Sequence, residues 1–117
     1  MKNILVATDL SARSDRAILR AIKLAKQYGA QLTILHVIDS DTLKSIAQEL
    51  KKVAEKEIQT CIATDIGDIK YNIEIISGCE YFDILTFIAQ KNFDLVVLGI
   101  HRHINQKLPF KIGRAHV

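Results

Sequence analysis

Apolar and polar positions alternate along the chain in a regular order of short strand-like runs and longer helical stripes. Asn3 to Thr8 is a continuous apolar, β-branched run closed by Asp9, the pattern of a central strand buried on both faces. A polar turn follows. Ser11 to Asp15 supplies candidate caps, Ala17, Ile18, Ala21, Ile22, Leu24 and Ala25 recur at helical spacing, and Gly29 stands where a helix would end in the left-handed conformation. Gln31 to Val37 reads as a second strand, with Leu32, Ile34 and His36 on one side and Thr33, Leu35 and Val37 on the other. Asp39-Ser40-Asp41 offers a further cap before one long helix, whose apolar face carries Leu43, Ile46, Ala47, Leu50, Val53, Ala54, Ile58 and Cys61. Lys70 to Ile76 alternates as a third strand ending at Ser77-Gly78, and Tyr81 to Gln90 places Ile84, Leu85 and Ile88 on one helical face. Phe93 to Leu98 is a fourth, buried strand stopping at Gly99, and Ile100 to Lys111 is polar and basic without periodicity.

Strand and helix repeated in this order predict an α/β fold, an open parallel sheet of four strands with three helices on both faces, because right-handed crossovers join the strands. Ligands of such sheets sit outside the carboxyl ends of the strands, where strand order reverses. That directs attention to Thr8-Asp9, Val37-Ile38-Asp39, Ser77-Gly78 and Gly99-Ile100-His101.

A length of 117 residues is one domain's worth of chain, and 49% hydrophobic with 25% charged residues is a globular profile, not a disordered one. The longest apolar runs, such as Ile4 to Ala7 and Leu95 to Leu98, fall far short of a membrane span. The chain begins Met1-Lys2-Asn3 and enters a strand directly, without a secretory leader, so a cytoplasmic protein is expected. Its net charge of +3 comes from basic residues spread along helices, so neither a nucleic-acid nor a membrane partner is expected. Cys61 and Cys79 have neither metal-finger nor redox-motif spacing and read as small buried or half-buried side chains.

The strand ends exclude several chemistries. Neither G-x-x-x-x-G-K-[ST] nor G-x-G-x-x-G follows the first strand, and there is no G-x-S-x-G elbow. Thr8 precedes Asp9 and Ile76-Ser77 ends the third strand, so the carboxylate cluster of a phosphorylated receiver is missing. No enzyme activity is expected. Asp9 suits a ribose hydroxyl or, alternatively, a cap on the following helix. Gly99 either lets backbone amides approach a phosphate or forms an ordinary tight turn. His101-Arg102-His103 adds donors beyond it, and no metal is expected apart from magnesium carried by a nucleotide.

Together these pieces resemble the universal stress protein family over essentially the whole chain to Lys111. The resemblance is carried by Ile4 through Ser11, by Leu35-His36-Val37-Ile38-Asp39, by the Gly78 turn and by Phe93 through Gly99. It implies a Rossmann-like fold akin to the adenine nucleotide alpha hydrolases, with ATP or another adenine nucleotide as ligand. The implied site comprises Ala7, Thr8, Asp9 (ribose), Val37 (adenine), Leu98 and Gly99, with His101 and Arg102 at the phosphates. Ala7 stands where nucleotide binders often carry proline, and Arg102 replaces the second glycine of the family's G-x2-G-x9-G-[ST] loop. Members without these glycines imply the alternative, a protein-interaction dimer that binds no nucleotide. An ATP-using ligase or nucleotidyltransferase would carry Ser-Gly-Gly or H-x-G-H, and Thr8-Asp9-Leu10-Ser11 is neither.

The third glycine of that loop is due at position 112, where Ile112 stands. Residues 112–117 can be encoded by ATC GGA AGA GCA CAC GTC, the start of a widely used sequencing adapter, so an incomplete domain at 1–111 followed by adapter read-through is expected. The family pattern would continue through a helix and a last strand, roughly 20 residues at average element lengths. The resemblance assigns homodimerisation to that strand.

Overall fold

A computed structural model describes residues 1–99 and 111–114. Strands β1 (Asn3–Thr8), β2 (Gln31–Asp39), β3 (Tyr71–Gly78), β4 (Leu95–Gly99) and β5 (Lys111–Arg114) alternate with helices α1 (Ala12–Tyr28), α2 (Lys44–Ile62) and α3 (Glu80–Gln90), except that β5 follows β4 without an intervening helix among the described residues. All pairings are parallel and the strand order is β3-β2-β1-β4-β5. The first two crossovers step outward from β1 through β2 to β3. The third returns across the sheet to the far side of β1, so the order reverses between β1 and β4.

The apolar run of β1 is continuous because both of its faces are covered. Ile4 and Val6 lie with Leu32, Ile34 and Val97 under α1 and α2, which contribute Ala17, Ile18, Ala21, Ile22, Ile58 and Ile62. Leu5 and Ala7 lie with Leu35, Val96 and Leu98 under α3, which contributes Ile84 and Ile88. Helices on both faces of a parallel sheet are what the alternation of elements requires. The Ser11 hydroxyl caps α1 by accepting the Ser14 N–H at 3.2 Å, and Gly29 ends the helix at φ 64° with its own N–H on the Ala25 carbonyl.

Three features differ from the sequence reading. No strand was expected after Gly99, yet β5 lies along the outer edge of β4, with Leu95 to Leu98 in register with Lys111 to Arg114. An uncovered strand edge presents a row of backbone donors and acceptors, and a short parallel segment satisfies them. The second difference is in α2. Its apolar face was expected to be buried from Leu43 onward, but Leu43 (69% exposed), Ile46, Leu50 and Val53 are exposed, and only Ala54, Ile58 and Ile62 are buried. At 3.6 residues per turn the two sets lie roughly a quarter-turn apart, and a helix about 28 Å long outruns the surface beneath it. The third is the cap of α2. Leu43 occupies the N-cap without a side-chain hydrogen bond, while the Asp39 carboxylate and carbonyl close a turn on the N–H groups of Asp41 and Thr42.

Candidate functional site at the carboxyl ends of β1 and β4

The register assembles most of the predicted site. Ala7 is paired with Leu98 and Thr8 with Gly99 across β1 and β4, so the tips of the two strands lie side by side at the point of order reversal. Asp9 follows directly. Val37 is in β2, which runs beyond the end of β1, and its half-buried side chain packs against the apolar cluster on the α3 side of the sheet. His101 and Arg102 lie outside the described residues.

The β1–α1 turn is closed by its own polar groups. The Asp9 N–H donates to the Ser14 hydroxyl at 2.9 Å, the Leu10 N–H to the Thr8 hydroxyl at 3.0 Å, and the Ser11 N–H to Asp9 Oδ1 at 2.9 Å. Leu10 takes φ 67°, the only non-glycine residue with positive φ among those described, while its side chain packs against the core. Left-handed backbone costs a bulky L-residue about 1–2 kcal/mol, and such positions concentrate where a loop must aim functional groups. Asp9 is therefore not the cap of α1. That position belongs to Ser11, and the Asp9 carboxylate braces the turn from within.

Gly99 is required for a reason the sequence did not distinguish. A Cβ at this position would lie 2.9 Å from Ser14 Cα and 2.9 Å from Ala17 Cβ, so the tip of β4 presses directly on the first turns of α1. This is close helix–strand packing, not a turn that needs positive φ. Two further residues contribute that the sequence reading had not assigned to the site. Ser14, fully buried, sets its hydroxyl against Asp9 and against the Gly99 carbonyl. His36 donates from Nδ1 to the Thr8 carbonyl at 2.8 Å, which bridges the tip of β1 to the longer β2. The available signal was the spacing Asp9, Ser11, Ser14, which reads equally well as a run of helix caps.

Elsewhere, the two thiols differ. Cys61 is half-buried, and burial together with the Asp15 charge pushes its pKa up to about 11. Cys79 is exposed at the N-cap of α3, contrary to the buried or half-buried position expected, because the third strand ends there and its N–H is taken by the Asp83 carboxylate. A cleft of about 670 Å³ lined by Lys26, Gln31, Asp68 and Lys70 lies at the amino ends of the strands, opposite the predicted site. Among the described residues no three His, Cys, Asp or Glu side chains converge as metal ligands, and no helix is long and apolar enough to cross a membrane.

The profile of the universal stress protein family matches residues 1–109. The chain belongs to this family. It is 30% identical over 112 residues to universal stress protein A homolog 1 of Coxiella burnetii, covering 87% of this chain and 78% of that protein. A putative universal stress protein of Staphylococcus epidermidis is 50% identical over 93 residues, 80% of this chain, which spans about half (48%) of that relative's length. The fold matches the structure of the Archaeoglobus fulgidus universal stress protein in complex with dAMP, with a TM-score of 0.76 at 15% identity over 99% of this chain and 98% of that one. It also matches a universal stress protein solved in complex with cAMP, with a TM-score of 0.65 at 20% identity over 82% of this chain and 70% of that one. The fold shared with these structures is the parallel α/β sheet that the alternation of elements predicts.

Proposed function

We propose that this universal stress protein is a cytoplasmic adenine-nucleotide-binding module without catalytic activity, which holds its ligand at the carboxyl ends of β1, β2 and β4. The observation that carries the reading is the pairing of Thr8 with Gly99, which sets Asp9 beside the point of strand reversal. Family members solved with dAMP and cAMP support the ligand class. In this reading Asp9 receives a ribose hydroxyl, the Val37 backbone meets the adenine, and the tips of β1 and β4 at Ala7, Thr8, Leu98 and Gly99 frame the phosphates with His101 and Arg102. ATP is the physiological ligand, with magnesium arriving on the nucleotide. The complete protein acts as a homodimer.

Equilibrium titration of ATP decides it. Saturable binding is expected, weakened about tenfold or more by Asp9→Asn, since a hydrogen bond to a charged group contributes about 1.5–3 kcal/mol and 1.4 kcal/mol is tenfold. Asparagine keeps an acceptor for the Ser11 N–H, so the turn is preserved while the charge is lost. Binding untouched by that substitution rejects the site. The second reading, an interaction dimer without nucleotide, is favoured by Arg102 in place of the loop's second glycine and by the filling of the space at Gly99 by α1. No saturable binding of ATP by the wild-type chain would select it.

A further inference from the structure

Ser14 and Thr8 are the buried polar side chains among the described residues, at 0% and 3% exposure, and both lie at the strand tips. A buried hydroxyl in a helix commonly bonds back to a carbonyl of its own helix. Ser14 instead faces out of the first turn of α1 into the gap between β1 and β4. Its oxygen accepts the Asp9 N–H at 2.9 Å, lies 2.5 Å from Asp9 Oδ1, and is in hydrogen-bond contact with the Gly99 carbonyl. The carboxylate oxygen and the carbonyl oxygen are both acceptors, and a hydroxyl carries one proton. That proton serves Asp9 or Gly99, one at a time.

We propose that Ser14 is the positioning residue of the site, a hydroxyl that ties the acceptor state of Asp9 to the tip of β4 and so sets the preference for ligands with free ribose hydroxyls. This rests on the adenine-nucleotide reading above. In the unliganded protein the Ser14 proton lies on the Asp9 carboxylate and fixes its orientation. A ribose hydroxyl that donates to the same carboxylate replaces that hydrogen bond, and the Ser14 proton turns to the Gly99 carbonyl. The ribose contact and the tip of β4 are thereby coupled through one side chain. Serine suits the place because the tip of β4 comes close to it: a Cβ on Gly99 would lie 2.9 Å from Ser14 Cα and 3.0 Å from Ser14 Oγ.

The test compares AMP with 2′,3′-dideoxy-AMP by equilibrium titration of the wild type, Ser14→Ala, Asp9→Asn and the double variant. The wild type is expected to favour AMP about tenfold or more. In Ser14→Ala no proton has to leave the Asp9 carboxylate, so that ratio rises about threefold or more while AMP still saturates, and adding Asp9→Asn brings it down to about the ratio of Asp9→Asn alone, as coupled residues require. A purely structural role would weaken both ligands equally, so an unchanged or lowered ratio in Ser14→Ala overturns the proposal while leaving the nucleotide site standing. No binding of either ligand by the wild type overturns both. Ser14→Gly, which removes the same hydroxyl without adding an atom, raises the ratio likewise and carries the test if alanine does not fold.

Discussion

Replacing Gly99 by alanine tests the contact on which the two strand tips depend. The added Cβ would stand 2.9 Å from Ser14 Cα, 2.9 Å from Ala17 Cβ and 3.0 Å from Ser14 Oγ. Carbon atoms in contact prefer about 3.5–4.0 Å, so the first turns of α1 must retreat by roughly 0.6–1 Å. One of the atoms met is helix backbone and cannot rotate away, and the same helix buries Ala17, Ile18 and Ala21 against the sheet. Overpacking of this kind costs about 1–3 kcal/mol, and the backbone contact puts the expectation at about 2–3 kcal/mol. At about 4 °C per kcal/mol for a domain of this size, the melting temperature should fall by about 8–12 °C. Gly29→Ala is the matched control. It has nothing within 4 Å but sits at φ 64°, so its cost of about 1–2 kcal/mol is conformational alone. Ala17→Gly introduced into Gly99→Ala should recover part of the loss, whereas in Gly29→Ala it should recover none. Thermal melts of the variants followed by circular dichroism provide the measurement. A Gly99→Ala melt within about 2 °C of wild type would refute the close approach, since the expected loss is several times larger.

Other consequences can be read from single substitutions. Ile58→Ala, at a buried position of α2, should cost about 2–5 kcal/mol, while Ile46→Ala on the exposed stripe should cost less than about 1 kcal/mol by chemical denaturation; equal costs would mean the stripe is covered. The N–H groups of Lys2 and Asn3 donate to the Asp94 carboxylate at 2.7 and 2.9 Å and hold its pKa below the ordinary 3.8. A lowered carboxylate stabilises the fold above its unfolded pKa and loses that effect as pH falls through the folded one. Asp94→Asn should therefore melt below wild type at pH 7, with the gap closing in melts run below about pH 3.8; a gap independent of pH would contradict this. With a thiol reagent at pH 8, Cys79 should react promptly and Cys61 far more slowly, because a pKa of about 11 leaves about one part in 10³ as thiolate. Cys79→Ser should remove the fast phase, and its survival would refute the assignment.

Much of the fold was legible because burial on both faces leaves a continuous apolar run, and Ile4 to Ala7 and Leu95 to Leu98 could be central parallel strands on that ground alone. Asp9 and Gly99 were legible as candidates because the reversal rule points to strand tips. What Gly99 does was not. A missing Cβ serves a phosphate, a turn or a helix pressed against it, and only the position of Ser14 and Ala17 separates these. Ser14 itself was concealed because a serine in a first helical turn has a local explanation as a cap. The periodicity of α2 shows that Leu43, Ile46, Leu50 and Val53 form a stripe but not what the stripe faces. The sequence reading therefore buried them with Ala54 and Ile58. Cys79 failed for a similar reason, since its place at the N-cap of α3 outranks its apolar character.

Where a nucleotide touches the chain distinguishes the two ends of the sheet most directly. Backbone amide shifts followed by nuclear magnetic resonance during an AMP titration give that map. Saturable shifts are predicted at Thr8, Asp9, Val37 and Gly99, at the carboxyl ends of the strands, with none at Gln31, Gly67 or Lys70 at the amino ends. Shifts confined to the amino-end cleft, or none at the carboxyl ends at saturating AMP, would contradict it.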